Sequence, residues 1–256
     1  ALTVLSMGGF SIGSGDDAPS NAKLLKQCLM KNATLEQLCL GSNCLGSNDL
    51  VLSTIMSGIK GSASLSHIDL SGNELRKLSS MKLIATYLAG NPVLIDLDLG
   101  SNAIPTKSAD ALIKSLKKNT TLEHLSLKNN NITDKSVPAF TDALQKNTTL
   151  FLLDLENNNL KVKTGRKGML KILCDTTSLE SIANKSNHTC SIRIAGRNYG
   201  GTHEDEFNKI NALENEGQKI RYKVVLAMCS MNKELYDPRT FDDIPLELMP
   251  LLLELV

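Results

Sequence analysis

Two histidines and an aspartate, His67, Asp96 and His124, recur along the chain at intervals close to 28 residues. Two imidazoles around a carboxylate are the donor set of a zinc site, for which Asp69 or Asp98 would be a further ligand. The same trio could instead make an ion-pair relay in which Asp96 bridges the two rings. A flat row of side chains spreads ligands too widely for tetrahedral closure, so the relay is the expected chemistry and neither a metal nor a cofactor is expected. Ser126, Lys128, Asp154 and Glu156 recur at related places and complete a polar, mostly acidic set.

These residues can meet only if the chain stacks them. "KNTTLEHLSLKNNNI" begins at Lys118, and "KNTTLFLLDLENNNL" follows it 28 residues later. Their shared skeleton, L-x-x-L-x-L-x-x-N-x-L/I, also starts at Leu35, Leu65 and Leu94, with blurred copies at Leu2 and Leu179. Worn terminal units are expected of a stacked array. Leu122, Leu125 and Leu127 have strand-like spacing, turned inward at period two. Asn130 then ends the strand, because its amide can donate and accept inside a buried turn. Asn43, Asn73, Asn102, Asn158 and Asn187 fall at the same place and predict a ladder of asparagines, one rung per repeat.

The linking segments have helical spacing. Ala109, Leu112 and Leu116 share one face, as do Val137, Phe140 and Leu144, and Met81, Ile84 and Leu88. Ser108 and Ser136 are placed as N-caps, and Pro138 falls in a first turn, where proline is tolerated. In the fifth unit Gly165 and Gly168 replace Val137 and Phe140, which predicts a weak helix there.

This pattern resembles the leucine-rich repeat proteins of the ribonuclease-inhibitor-like subclass, whose repeats run to about 28 or 29 residues with a full helix. The resemblance covers residues 1–190 and implies an α/β fold, a curved solenoid with a parallel sheet inside and helices outside. Residues 191–256 then form a helical C-terminal cap over the open end. In such a fold the side chains between the leucines face the concave surface in rows. One row reads Val4, Gln37, His67, Asp96, His124, Leu152 and Ser181; the next reads Ser6, Cys39, Asp69, Asp98, Ser126, Asp154 and Ala183. With Lys128 and Glu156, the central members of these rows are the candidate partner-binding site. Clustered aspartates repel when unpaired, and this reading takes their clustering as a sign of use rather than packing.

The family hosts inhibitors, immune sensors, GTPase activators and actin-capping proteins, so the resemblance specifies fold far better than function. The expected function is a non-catalytic scaffold that binds a protein or peptide partner, one with a basic patch. The alternatives are a GTPase activator of the Ran-activating type and an actin-associated cap of the tropomodulin type. Arg76 is the only arginine before Arg166, which counts against the arginine-bearing loops of the former.

Composition narrows the rest. A net charge of +1 argues against a dedicated nucleic-acid partner. "IPLELMPLLLELV" is too short for a membrane span and carries Glu247 and Glu254. No P-loop, dinucleotide, zincin or serine-hydrolase signature occurs, so no enzyme is expected. "KVKTGRKG" from Lys161 and "GRNYGG" from Gly196 are loops able to hold an anion. The chain begins at Ala1 inside a worn repeat, which is read as a fragment or processed product. Six scattered cysteines read as thiols of a reducing compartment, cytoplasm or nucleus. Four N-x-S/T sequons, at Asn32, Asn119, Asn147 and Asn187, point the other way and are read as turns that the repeat requires.

Overall fold

The structure, a computed structural model, describes residues 2–90, 93–161, 164–165, 167–173, 175, 186–187, 189–194 and 218. Strands β1 (Val4–Ser6), β2 (Gln37–Cys39), β3 (His67–Asp69), β4 (Asp96–Asp98), β5 (His124–Ser126), β6 (Leu152–Asp154) and β7 (Ser191–Arg193) form one parallel sheet in chain order. Between them run α1 (Ala18–Lys31), α2 (Asp49–Gly61), α3 (Leu78–Gly90), α4 (Thr106–Leu116), α5 (Val137–Leu144) and α6 (Lys167–Leu173). The middle residue of each strand from β2 to β7, Leu38 through Ile192, is buried. From β3 to β6 its two neighbours are half-exposed. A strand of three residues therefore sends one side chain inward and two toward the concave face, as period two requires.

The core is one continuous cluster that joins the strand leucines to the helix faces. Ala109, Leu112 and Leu116 of α4, Met81, Ile84 and Leu88 of α3, and Phe140 and Leu144 of α5 all lie inside it. Burying one leucine stabilises by about 1.5–3 kcal/mol relative to leaving it in water, and no single repeat could bury its own.

Buried asparagines satisfy the turns. Asn102 is fully buried and donates through Nδ2 to the carbonyls of Leu70 (2.9 Å) and Leu99 (3.0 Å). Its Oδ1 accepts from the backbone N–H of Asn73 (2.7 Å) and Leu75 (3.2 Å), one repeat earlier. Asn43, Asn73, Asn130 and Asn158 repeat the pattern. The residue before each rung is left-handed, including Ser42, Ser101, Asn129 and Asn157. In the first repeat Phe10 takes the rung position between Gly9 and Ser11, both at positive φ, and is 68% exposed.

Asn187 is not a rung of this ladder. Its Nδ2 donates to Leu144 O (2.6 Å) and Asn147 O (2.9 Å), and its Oδ1 accepts from Thr189 N and Cys190 N. Asn147 does the same with Leu116 O, Asn119 O, Thr149 N and Leu150 N, and Asn119 with Leu88 O, Thr121 N and Leu122 N. These asparagines form a second ladder, at the turns from helix into strand. The last strand therefore follows Asn187 instead of preceding it. Ser191 and Arg193 hold the concave positions expected for Ser181 and Ala183, which lie outside the described residues. The sheet accordingly runs past the boundary expected at residue 190. The proposed helical cap, apart from 191–194 and 218, lies outside the described residues.

The serine caps are also corrected. Helix α4 starts at Thr106 with no capping side chain, and Ser108, inside it, donates to Arg76 O (3.0 Å). Ser136 precedes α5, but its hydroxyl turns to Asp110 Oδ1 (2.6 Å) on α4. In both cases the hydroxyl ties neighbouring repeats together. Only packing between units could redirect it. Asn48 does cap α2, accepting from Leu50 N and Val51 N.

Candidate concave site

Strand pairing brings the two concave rows into register. His67, Asp96, His124 and Leu152 are successive partners across β3–β6, and so are Asp69, Asp98, Ser126 and Asp154. Adjacent parallel strands lie about 4.8 Å apart, so each side chain meets its counterpart in the next repeat.

The trio of His67, Asp96 and His124 is only half assembled. His124 Nδ1 lies 3.2 Å from Asp96 Oδ2, with both side chains 39% exposed. His67 turns away, its Nδ1 2.8 Å from the hydroxyl of Ser66 beside it. A relay through both histidines is therefore not formed. Ser66 takes His67 because it is the neighbouring residue in the chain. Among the described residues no group of three His, Cys, Asp or Glu side chains converges on a possible metal position.

The aspartates have a duty that the sequence reading missed. Asp69 Oδ1 accepts from Ser71 N (2.8 Å), Asp98 Oδ1 from Gly100 N (2.7 Å), and Asp154 Oδ1 from Glu156 N (2.9 Å). Each carboxylate closes the turn at the end of its own strand, a local bond that aspartate makes readily. Their recurrence thus has a structural cause, and the inference from clustering to use is corrected to that extent. The x-D-x-[SGE] spacing was a legible signal for these turns. Lys128 lies across the row: a Cβ at Gly100 would sit 3.0 Å from Lys128 Cγ and 3.0 Å from Asp98 Oδ1. Ser126 Oγ is buried without a partner. Cys39 faces Asp69 across β2 and β3; burial, and then that carboxylate, push its thiol above the usual range and keep it protonated.

Two further residues belong to this surface. Phe151, 55% exposed, stands immediately before β6, with its ring centroid 6.0 Å from that of His124. An aromatic between Leu150 and Leu152, at a position turned to solvent, could have been flagged from sequence. Arg193 lies in register with Asp154 and ends the acidic row with a cation. The misplaced last repeat had hidden it.

The sequons carry no sugar chemistry at Asn119, Asn147 or Asn187. These side chains are buried and their amide nitrogens are occupied by carbonyls, leaving no room for a glycan. Cys28, Cys39 and Cys44 are free thiols. Among the described residues no helix is long and apolar enough to cross a membrane. The "GRNYGG" loop lies outside the described residues.

A family model described as "Leucine Rich repeat" matches residues 118–140, one turn of the array. With seven parallel strands alternating with helices, the chain is an α/β leucine-rich-repeat solenoid. No curated protein matches it in sequence. Among solved structures, "Leiomodin-1 Actin-Binding Site 2 (ABS2)" is similar at 18% identity with a TM-score of 0.45, over 70% of this chain and 90% of that one. Similarity this low says nothing about what this chain binds.

Proposed function

We propose that this chain is a non-catalytic scaffold that holds a protein or peptide partner with a basic patch on its concave face. The observation that supports it most is the register of Asp69, Asp96 and Asp98 on adjacent strands. Among the described residues only His124 comes within ion-pair distance of any of the three. Asp154 and Glu156 extend the field, Phe151 offers an apolar contact beside it, and His67, His124, Ser126 and Lys128 complete the surface. The repeat length and the full helices favour the ribonuclease-inhibitor-like subclass. Nucleic acid, membrane and cofactor have no part in this reading, and the cytoplasm or nucleus suits its free thiols.

Association of a labelled peptide of alternating Lys and Gly tests it. The triple change Asp69→Asn, Asp96→Asn, Asp98→Asn removes charge while the amide oxygens at 69 and 98 can still close their turns. It should slow association about tenfold and flatten the salt dependence, because such charges act mainly on the encounter rate and are screened over about 8 Å. Lys114→Glu with Lys118→Glu, on the outer face, should change nothing. If only the outer pair matters, the partner sits on the convex side and this assignment fails. Stimulated GTP hydrolysis by a small GTPase, or co-sedimentation with actin filaments, would replace it with one of the alternatives.

A further inference from the structure

The start of α4 and the loops that enter α5 and α6 leave an open groove of about 860 Å³ on the rim of the solenoid, lined by Lys107, Lys135, Lys161, Asp110 and Asp134. The three lysines come from three successive repeats and are exposed. Isolated parallel bridges, Pro105 to Asn131 and Thr133 to Asn159, hold the loops at strand spacing, so the cations stand in a line across the stack.

Neither aspartate is paired with a lysine side chain of that line. Asp134 accepts from Lys161 N (2.7 Å) and from the Thr164 hydroxyl, and Asp110 accepts from the Ser136 hydroxyl (2.6 Å). Their bonds go to the protein's own donors, and among the described residues none of the three lysine side chains is in an ion pair. Elsewhere on the described surface Lys77 and Lys117 do find carboxylates, Asp49 and Asp142, each at 2.8 Å. Helix α4 also opens here with no capping side chain and no acidic residue in its first turn. Its positive end adds to the preference for an anion. The segment that supplies Lys161 carries Lys163, Arg166 and Lys167 in the next six residues.

We propose that this rim groove is a second docking surface and takes an extended acidic peptide segment of a protein partner. Lysines one per repeat can each reach a carboxylate of an extended chain, whose same-face side chains recur about every 6.6 Å, because their flexible four-carbon stems take up the difference from the strand spacing. Asn131 and Asn159 flank the groove and suit a peptide backbone, which needs both donors and acceptors. Nucleic acid fits less well, because Asp110 and Asp134 would repel a uniform polyanion wherever it met them. The groove lies on a different edge from the concave rows, so its occupant is independent of the basic partner proposed there.

Fluorescence anisotropy of the full chain with a labelled peptide of alternating Glu and Ser tests this. A matched Gln–Ser peptide is the neutral control, and a single-stranded RNA of equal charge is the competitor. The acidic peptide should bind and the neutral one should not. Lys107→Glu with Lys135→Glu should weaken binding about tenfold or more with an unchanged melting temperature. Lys107→Gln with Lys135→Gln gives the same reading should charge reversal disturb folding. The Asp69, Asp96 and Asp98 amide variant should keep its acidic-peptide binding, which separates this surface from the concave one. Equal binding of the neutral peptide, no effect of the lysine changes, or tighter binding of the RNA would each overturn the proposal.

Discussion

Asn102 shows how much one side chain carries in a stacked array. Its amide serves the N–H groups of Asn73 and Leu75 and the carbonyls of Leu70 and Leu99, all within the core. Each buried group left unmade costs about 1–3 kcal/mol. Asn102→Ala should therefore lower stability by about 3 kcal/mol or more in denaturant unfolding. Asn129, exposed and next to a rung, sits at φ 54°, where a Cβ-bearing residue other than Asn is strained by about 1 kcal/mol. Asn129→Ala should cost about that much and Asn129→Gly close to nothing. Equal losses for Asn102→Ala and Asn129→Ala would contradict the ladder. Tyr87 gives a residue-scale pH signature. Burial pushes its phenol up to about 12, against about 10 in an unfolded chain. The folded state favours the neutral phenol, so this contribution is complete below pH 10 and is lost as pH rises from 10 toward 12. Alkaline unfolding should show that loss, and Tyr87→Phe should abolish it.

At the scale of elements, α6 is where local propensity and packing disagree. Glycine costs about 1 kcal/mol in a helix relative to alanine, so the sequence marks Gly168 as a weakness. The structure gives it a purpose, since a Cβ there would lie 2.6 Å from Val137 Cγ1 on α5. Valine is stiff at χ1 and cannot swing aside. Gly168→Ala should lower the melting temperature in spite of its better propensity. Adding Val137→Ala should recover part of the loss. A rise in melting temperature for the single mutant would mean that α6 does not approach α5 this closely. The serines at 108 and 136 teach the same lesson. Their spacing fits caps, yet each donates its hydroxyl to an acceptor of the neighbouring repeat instead of accepting from the helix's own N–H groups.

Over the whole molecule, a net charge of +1 conceals segregation. Aspartates gather on the concave strands, while Lys107, Lys135 and Lys161 gather on one rim. Repeats that contact only their neighbours allow this, since each unit can vary its outward residues without disturbing the core. The two proposed surfaces should therefore respond oppositely to charge. The lysine peptide should depend on Asp69, Asp96 and Asp98, the glutamate peptide on Lys107 and Lys135, and both complexes should weaken as salt rises.

The amino-acid sequence by itself determined the repeat, the alternation of strand and helix, the buried leucines and the central asparagine ladder. All of these follow from short-range spacing, which each unit carries within its own residues. The concave register was legible for the same reason, because identical units stack in phase. Only the tertiary structure decided which histidine meets Asp96, since Ser66 and Asp96 were both within reach. Only it showed that Asp69, Asp98 and Asp154 close turns, and where Ser108 and Ser136 send their hydroxyls. The last repeat was misplaced because the segment before it breaks the spacing and two kinds of asparagine turn look alike in letters. What separates them is the set of carbonyls each amide reaches, and for Asn187 those belong to Leu144 and Asn147, some forty residues back along the chain.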